Sequence, residues 1–360
     1  MDKAYNELPF LPPDIEEVLW DREVIQKVLT TNKEIARLNW IEQMNDRKIS
    51  EIFLNSLVLT ESIWSNDIEN INTNIDKVSI SKTIKDAQGN EKETLKYRDA
   101  LLLGLELLEK NQWIISINNI VEIQQTIEEN QWGIRKVPGT KLTNAKTDKT
   151  IYFPPDPHFL WEKLDNLEKY INDDTLHIAD GCIKSAIIHH QFESIHPFYD
   201  GNWRTGRIII LLYLIKQKLI NYPVLFISGY LNENKWDYYK YLQEVRVNNN
   251  RKGYILYMLD AIEKQSRITS EKILEINKLY RTKRETIFDE LKMDKKEVLI
   301  DLLFQNIYIS FWELLENLDV SKPTLIKKLW ELEEKGIVQK TKQWKNSIYY
   351  FEEYVRILKK

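Results

Sequence analysis

Twelve consecutive residues, His196-Pro197-Phe198-Tyr199-Asp200-Gly201-Asn202-Trp203-Arg204-Thr205-Gly206-Arg207, gather most of the side chains in this chain that are equipped for chemistry. His196 is suited to taking a proton from an attacking hydroxyl, because imidazole titrates near neutrality. Asp200 is a hard oxygen ligand of the kind Mg2+ takes beside phosphate oxygens. Asn202 has an amide to donate to a phosphate, and Arg204 and Arg207 offer planar forks for phosphate oxygens. Their spacing of three puts both arginines on one face of a helix. Residues 208–215 are apolar apart from Tyr213 and read as a buried helix. A loop that runs into a helix N-terminus presents unpaired N–H groups and a positive dipole end, so it attracts anions before any side chain acts. Gly201 and Gly206 allow the backbone to approach a ligand or another helix closely. The plain alternative is a capped helix with surface ion pairs. Five functional residue types within twelve positions favour a phosphate site instead.

The rest of the chain must position that segment. Its 360 residues are enough for two or three domains with a substantial core. A net charge of −4 implies no global pull toward nucleic acid or anionic membrane. Cys182 is the single cysteine, which excludes an intrachain disulfide framework and a cysteine-based zinc site, and fits a reducing, cytoplasmic setting. The sequence shows no signal-peptide pattern at Met1, no apolar run of membrane-spanning length, no internal repeat and no low-complexity tract.

Leu8-Pro9-Phe10-Leu11-Pro12-Pro13 excludes regular helix and predicts an extended arm laid on the surface. Helical periodicity follows at 14–28, 32–45 and 50–66, then a polar stretch at 72–94 predicts a loop around Gly89-Asn90. Helices are expected again at 97–108, 117–130, 157–171 and 180–194, the last leading into the twelve-residue segment. Residues 133–157 predict a β-hairpin with a Thr/Asn/Lys/Asp-rich middle. Asn232 is the expected N-cap of a helix over 233–247, and a long helical connector runs from 255 to about 291. In the tail, helices at 298–304, 310–317 and 321–335 precede a hairpin turning at Lys345-Asn346, which is the winged-helix order with Ser321 as a cap.

The twelve-residue segment resembles the signature of the Fic family, H-P-F-x-[DE]-G-N-G-R-x-x-R, and Gln191-Phe192-Glu193-Ser194-Ile195 and Ile208 on either side also fit. Fic proteins are mostly enzymes that transfer AMP from ATP to a hydroxyl side chain of a target protein. Carried over residue by residue, the resemblance implies that His196 is the general base and Asp200 the Mg2+ ligand. It also implies that Asn202 and the amides around Gly201 hold phosphates, with Arg204 and Arg207 on the terminal ones. The nucleotide site then comprises Gly201, Asn202, Trp203, Arg204, Gly206 and Arg207, with ATP and Mg2+ as the implied cofactors. Ser65-Asn66-Asp67-Ile68-Glu69-Asn70 resembles the family's inhibitory pattern [ST]-x-x-x-E-[GN], in which Glu69 would pair with Arg207 and leave ATP badly oriented. Ser65, Glu69 and Asn70 are thus the implied regulatory residues. Gly133-Ile134-Arg135 and Ile151-Tyr152-Phe153-Pro154-Pro155 resemble the family's flap, which pairs with an extended target segment by adding a strand.

One position departs from the pattern: the second glycine of G-N-G is Trp203. An indole there either turns aside or takes the room of the β- and γ-phosphates. The resemblance covers about residues 5–265. The expected fold is mainly α, a Fic helical core with a small β-hairpin flap plus a C-terminal winged-helix domain. Its expected parts are an N-terminal helical region over 1–110, the core over 111–265, a connector over 266–292 and the winged-helix-like region over 293–360. The expected function is protein adenylyl transfer to Ser, Thr or Tyr, held low by Glu69. The alternatives are a catalytically impaired nucleotide-binding regulator, or a Fic enzyme that removes AMP or uses another nucleotide. Expected partners are a target protein presenting a hydroxyl and, from the resemblance, a second copy of the chain. Lys322, Lys327 and Lys328 are followed by Glu331, Glu333 and Glu334, so the winged helix is read as a protein-docking module ahead of a DNA-binding one, even with Lys340, Lys342 and Lys345 in its wing and Trp344 at the tip.

Overall fold

The computed structural model describes residues 4–44, 47–129, 133–143, 149–343 and 346–360. The arm leads to α1 (Glu16–Leu19) and α2 (Arg22–Gln43), then α3 (Arg47–Ile68), α4 (Ile75–Ile84) and α5 (Gly89–Lys110). Next come α6 (Ile117–Ile127), the strands β1 (Leu142–Thr143) and β2 (Thr150–Tyr152), α7 (Pro157–Asn172), α8 (Gly181–Ile195) and α9 (Asn202–Lys216). They are followed by α10 (Ser228–Glu233), α11 (Lys235–Asn248) and the 40-residue α12 (Arg251–Glu290). The tail holds α13 (Lys296–Asn306), β3 (Tyr308–Ser310), α14 (Phe311–Leu318), α15 (Lys322–Glu334), β4 (Gln339–Gln343), β5 (Asn346–Tyr350) and α16 (Glu352–Lys359). Among the described residues no helix is long and apolar enough to cross a membrane. The chain divides into two compact units, Met1–Arg37 with Lys96–Arg267, and Leu38–Leu95 with Ile268–Lys360.

In the first unit, α8 and α9 pack side by side with α6 and α7 around them. The apolar run of α9 is apolar on all sides, and a helix of that kind must be enclosed on all sides; every residue from Arg204 to Ile215 is buried. Helix α8 is equally buried but far more polar, so its polar groups need partners inside. Lys184 meets Asp174 at 2.7 Å, His189 meets the Tyr238 hydroxyl at 2.7 Å, and Gln191 donates to Pro9 O at 2.8 Å. The last of these pins the N-terminal arm, which Asn166 also clamps through the N–H and carbonyl of Leu11 at 2.8 and 2.9 Å. The arm is extended as expected, but Leu8 and Leu11 are buried. β1 and β2 pair antiparallel, Leu142 opposite Tyr152 and Thr143 opposite Thr150. The expected middle of this hairpin, 144–148, lies outside the described residues.

The second unit is built on aromatic packing. Phe304 stands 5.0 Å from Phe351, 4.8 Å from Tyr354 and 5.9 Å from Phe53, ring centre to ring centre. Its sheet is antiparallel in the order β3-β5-β4, with Tyr349 opposite both Ile309 and Lys340. The expected succession of three helices and a hairpin is present, and Ser321 caps α15 by accepting from Thr324 N–H at 3.3 Å. Trp344, the expected tip, and Lys345 of the expected Lys345-Asn346 turn lie outside the described residues.

Four local expectations change. The polar stretch 72–94 contains α4 and the start of α5. Asn74 caps α4 by accepting from Lys77 N–H at 3.0 Å, and Thr83 and Tyr308 lock it to β3 through bonds of 2.8 Å to Tyr308 O and Asp76. Tertiary packing thus makes helix where the apolar period is weak. The helices expected at 14–28 and 32–45 fall instead into short α1 and a continuous α2, because Thr30 and Thr31 turn their hydroxyls to Lys27 O and Leu259 O and leave the helix unbroken. Asn232 lies inside α10, and α11 starts at Lys235 without a side-chain cap. β3, at three residues, is too short to carry a period of its own, and α16 was not expected although it buries Tyr354, Val355, Ile357 and Leu358.

Candidate active site

His196 closes α8 in the left-handed region (φ 48°), its N–H donating to Phe192 O at 2.9 Å. A non-glycine residue rarely takes that conformation without help. Here Arg135 supplies it: its Nε donates to His196 O at 2.9 Å, and its Nη2 donates to Pro155 O and, at 3.4 Å, to Ile195 O. Arg246 serves the same helix end, donating from Nε to Ser194 Oγ and from Nη2 to Glu193 O, both at 3.1 Å. Two buried cations therefore sit at the negative end of the α8 dipole and satisfy its orphan carbonyls. Burial, then the Arg246 and Arg135 charges, push His196 down to about 3 despite a hydrogen bond to the Glu193 backbone. The imidazole is consequently neutral at physiological pH and in the form that accepts a proton.

The loop after His196 is held from three sides. Asn202 spans it, its Oδ1 accepting from Phe198 N–H and its Nδ2 donating to Phe198 O, both at 2.9 Å. Gln124 of α6 donates to Asp200 O at 3.0 Å. Residues 134–135 pair with it like a strand: Ile134 bridges Phe198, and Arg135 N–H donates to Pro197 O at 2.9 Å. The Asp200 carboxylate is exposed, and its Oδ1 accepts from Gly201 N–H at 2.6 Å. Gly201 precedes α9 at φ 76°, where a side chain would be strained and would crowd Glu128.

Along α9 the predicted residues separate into distinct environments. The Trp203 indole packs in T-shaped contact with Tyr239 (5.3 Å) and Tyr238 (5.9 Å) of α11, and its ring stands 6.3 Å from that of His196 at an interplanar angle of 70°. Arg204 is 3% exposed, in an ion pair with Glu128 and 4.0 Å from Asp200 Oδ1. At Gly206 a Cβ would collide with Glu193 Oε1 and stand 3.1 Å from the His189 ring, so glycine sets how closely α8 and α9 approach. Arg207 is 2% exposed, and its charge acts on both His189 and Tyr238. Glu128 and Arg246 were not expected at the site, and Arg135 was expected only as part of the hairpin. The sole available signal was charge in otherwise ordinary surroundings, since each lies tens of residues from the loop it serves.

Comparison with known proteins identifies the family. The Fic/DOC family signature matches residues 112–214, and the Fic/DOC N-terminal signature matches residues 25–106. The chain belongs to the Fic/DOC family. Among relatives, the protein adenylyltransferase fic-1 of Caenorhabditis briggsae is 28% identical over 114 residues, 32% of this chain and 22% of the relative. The protein adenylyltransferase Fic of Aedes aegypti is 24% identical over 162 residues, 45% of this chain and 30% of the relative. The chain thus spans less than a third of either relative. A Fic family protein from Desulfovibrio desulfuricans G20 has the same fold at TM-score 0.57 and 17% identity, covering 92% of this chain and 96% of that one. Residues 134–508 of Fic-1 from C. elegans superpose at TM-score 0.56, also at 17% identity, over 71% and 74% of the two chains.

Within this Fic protein the six-residue pattern at 65–70 belongs to the second unit. Ser65 is buried in α3, Glu69 is half-buried in the turn that ends the helix, and Asn70 takes φ 64°. That turn is closed by Glu69 N–H to Asn66 O at 2.9 Å and Ile71 N–H to Asn66 O at 3.0 Å. The β1–β2 pair and the motif loop belong to the first unit, where Tyr152 OH donates to Ser194 O at 2.8 Å and carries β2 onto α8.

Proposed function

We propose that this Fic protein is a protein adenylyltransferase that moves AMP from ATP to a Ser, Thr or Tyr hydroxyl of a target protein. One observation carries the reading: a neutral, buried His196 stands at the turn that feeds directly into the N-terminus of α9. The target hydroxyl oxygen attacks the α-phosphorus, its proton passes to His196, and the bond to the β-phosphate's bridging oxygen breaks to release pyrophosphate. A triphosphate brings negative charge to the imidazole and so raises its proton affinity when a base is needed. The loop amides around Gly201, with Asn202, Trp203, Arg204, Gly206 and Arg207, form the phosphate side of the site, where the α9 dipole favours anions. The indole of Trp203 turned toward α11 supports a nucleotide site that keeps its room.

Asp200 fits Mg2+. Its exposed carboxylate stands at the start of α9, and Mg2+ takes one or two protein carboxylates beside substrate oxygens. When bound, the ion supplies positive charge to the polyphosphate. Glu69, following Ser65 and beside Asn70, is the lock: paired with Arg207, it withholds that fork from the terminal phosphate. Residues 293–360 are read as a winged-helix-like module that docks protein, because Ile326 and Trp330 are exposed along α15 where a DNA reader carries polar and basic groups. The protein works in the cytoplasm, as the lone buried thiol of Cys182 suits, and pairs with a second copy.

The test is incubation of wild type, Glu69→Gly and Glu69→Gly/His196→Ala proteins with Mg2+ and α-labelled ATP. Label is expected on protein in the Glu69→Gly sample at ten times the wild-type rate or more, as a rough expectation, and in the double variant not at all. Equal labelling in both variants would remove His196 from the mechanism.

A further inference from the structure

We propose that Tyr199 is a positioning residue, a latch that fixes the flap hairpin to the loop carrying His196 and Asp200. The observation is a continuous series of contacts. Among the described residues, strand-like pairing between the two segments runs from Ile134 opposite Phe198 to Arg135 N–H on Pro197 O, and then ends. The next two flap amides, of Lys136 and Val137, both turn to one acceptor, the Tyr199 phenol oxygen, at 2.9 and 3.3 Å. A side-chain oxygen thus takes the place of the backbone carbonyl that a further ladder residue would offer. Tyr199 is 43% exposed, so burial gives a weak reason for its orientation and the two N–H groups give a strong one. Arg135 anchors the same stretch from below through Pro155 O and His196 O, leaving Tyr199 as the contact on the solvent side.

The consequence rests on the adenylyl-transfer reading. A target strand that adds to the flap inherits the flap's place relative to His196, and an error of about 1 Å at the reacting oxygen costs on the order of a hundredfold in rate. A latch three residues from the base removes that error. It also occupies the N–H groups of 136 and 137, which removes them from the donors open to an incoming strand.

Tyr199→Phe removes the oxygen and keeps the ring. Amide exchange at Lys136 and Val137 is expected to quicken roughly tenfold or more, with the α8 amides unaffected. In the Glu69→Gly background, the rate of self-labelling from saturating α-labelled ATP is expected to fall about tenfold while the KM for ATP stays within about twofold. Unchanged exchange at 136 and 137 overturns the latch. Faster exchange with an unchanged labelling rate overturns its role in positioning. If the Glu69→Gly parent itself labels nothing, the transferase reading fails, and the exchange experiment still decides the latch.

Discussion

At the level of single residues, an arginine proposed to meet the terminal phosphates already holds a carboxylate. Arg204 is almost fully buried at the start of α9, and its partner is Glu128, from the C-terminal end of α6. A buried guanidinium needs a counter-charge, and Glu128 supplies it. Any phosphate that uses Arg204 competes with that carboxylate. Glu128→Gln keeps the shape and removes the charge, so ATP is expected to bind roughly five- to tenfold more tightly, worth ~1 to 1.4 kcal/mol, with some loss of thermal stability. Calorimetric titration of both proteins in the Glu69→Gly background decides it. Weaker binding in the variant would mean that Glu128 aims Arg204 rather than competing for it. Trp203 shows the same dependence on context: the departure from the family glycine becomes explicable once Tyr238 and Tyr239 are seen beside it, because α11 provides an aromatic seat for the indole.

At the level of elements, the site depends on how closely α8 and α9 approach, and Gly206 sets that spacing. An added methyl would displace the Glu193 carboxylate and press on the His189 ring at 3.1 Å, both fully buried. Overpacking of this kind costs about 1–3 kcal/mol, against which the better helix propensity of alanine returns at most about 1. Gly206→Ala is therefore expected to lower stability by ~1–2 kcal/mol in urea denaturation, and a variant as stable as wild type would show that α8 and α9 can part at little cost. The pair itself was legible in sequence, since the run 208–215 and the capped stretch from Asp180 are strong local signals. So was the loop between them, whose residue types are dense and unusual. What holds the loop was not. Arg135 lies 61 residues from the His196 carbonyl it binds, and Arg246 lies 52 from Ser194. Glu128 is 76 from Arg204. No local period encodes pairs so far apart. Helix α4 escaped for the converse reason, because its stability comes from Asn74 and from packing on β3 rather than from an apolar stripe.

At the level of the whole molecule, the distribution of histidine makes the two units unequal toward acid. All five histidines, 158, 177, 189, 190 and 196, fall within Lys96–Arg267. Burial, with nearby arginine charge, pushes His189 and His196 down from 6.5 to about 3 and His190 well below its ordinary value. A histidine depressed in the fold binds its proton more readily in the unfolded chain, so its contribution is complete above pH 6.5 and is lost as pH falls from there toward 3. Each such group costs up to ~1.4 kcal/mol per pH unit within that window. Asp260, lowered to about 2 by Lys264, Lys27 and Tyr230 despite its burial, loses its share only below its ordinary 3.8, so it does not blur the upper part of the window. The second unit has no histidine to load. Between pH 7 and 4.5, amide protection is therefore expected to fall first in α8 and α9, while α13 and α14 keep theirs, and His190→Gln is expected to shallow the decline in the first unit. Simultaneous loss across both units, or a decline that begins only below pH 4, would show that carboxylates rather than these histidines set the acid limit of the fold.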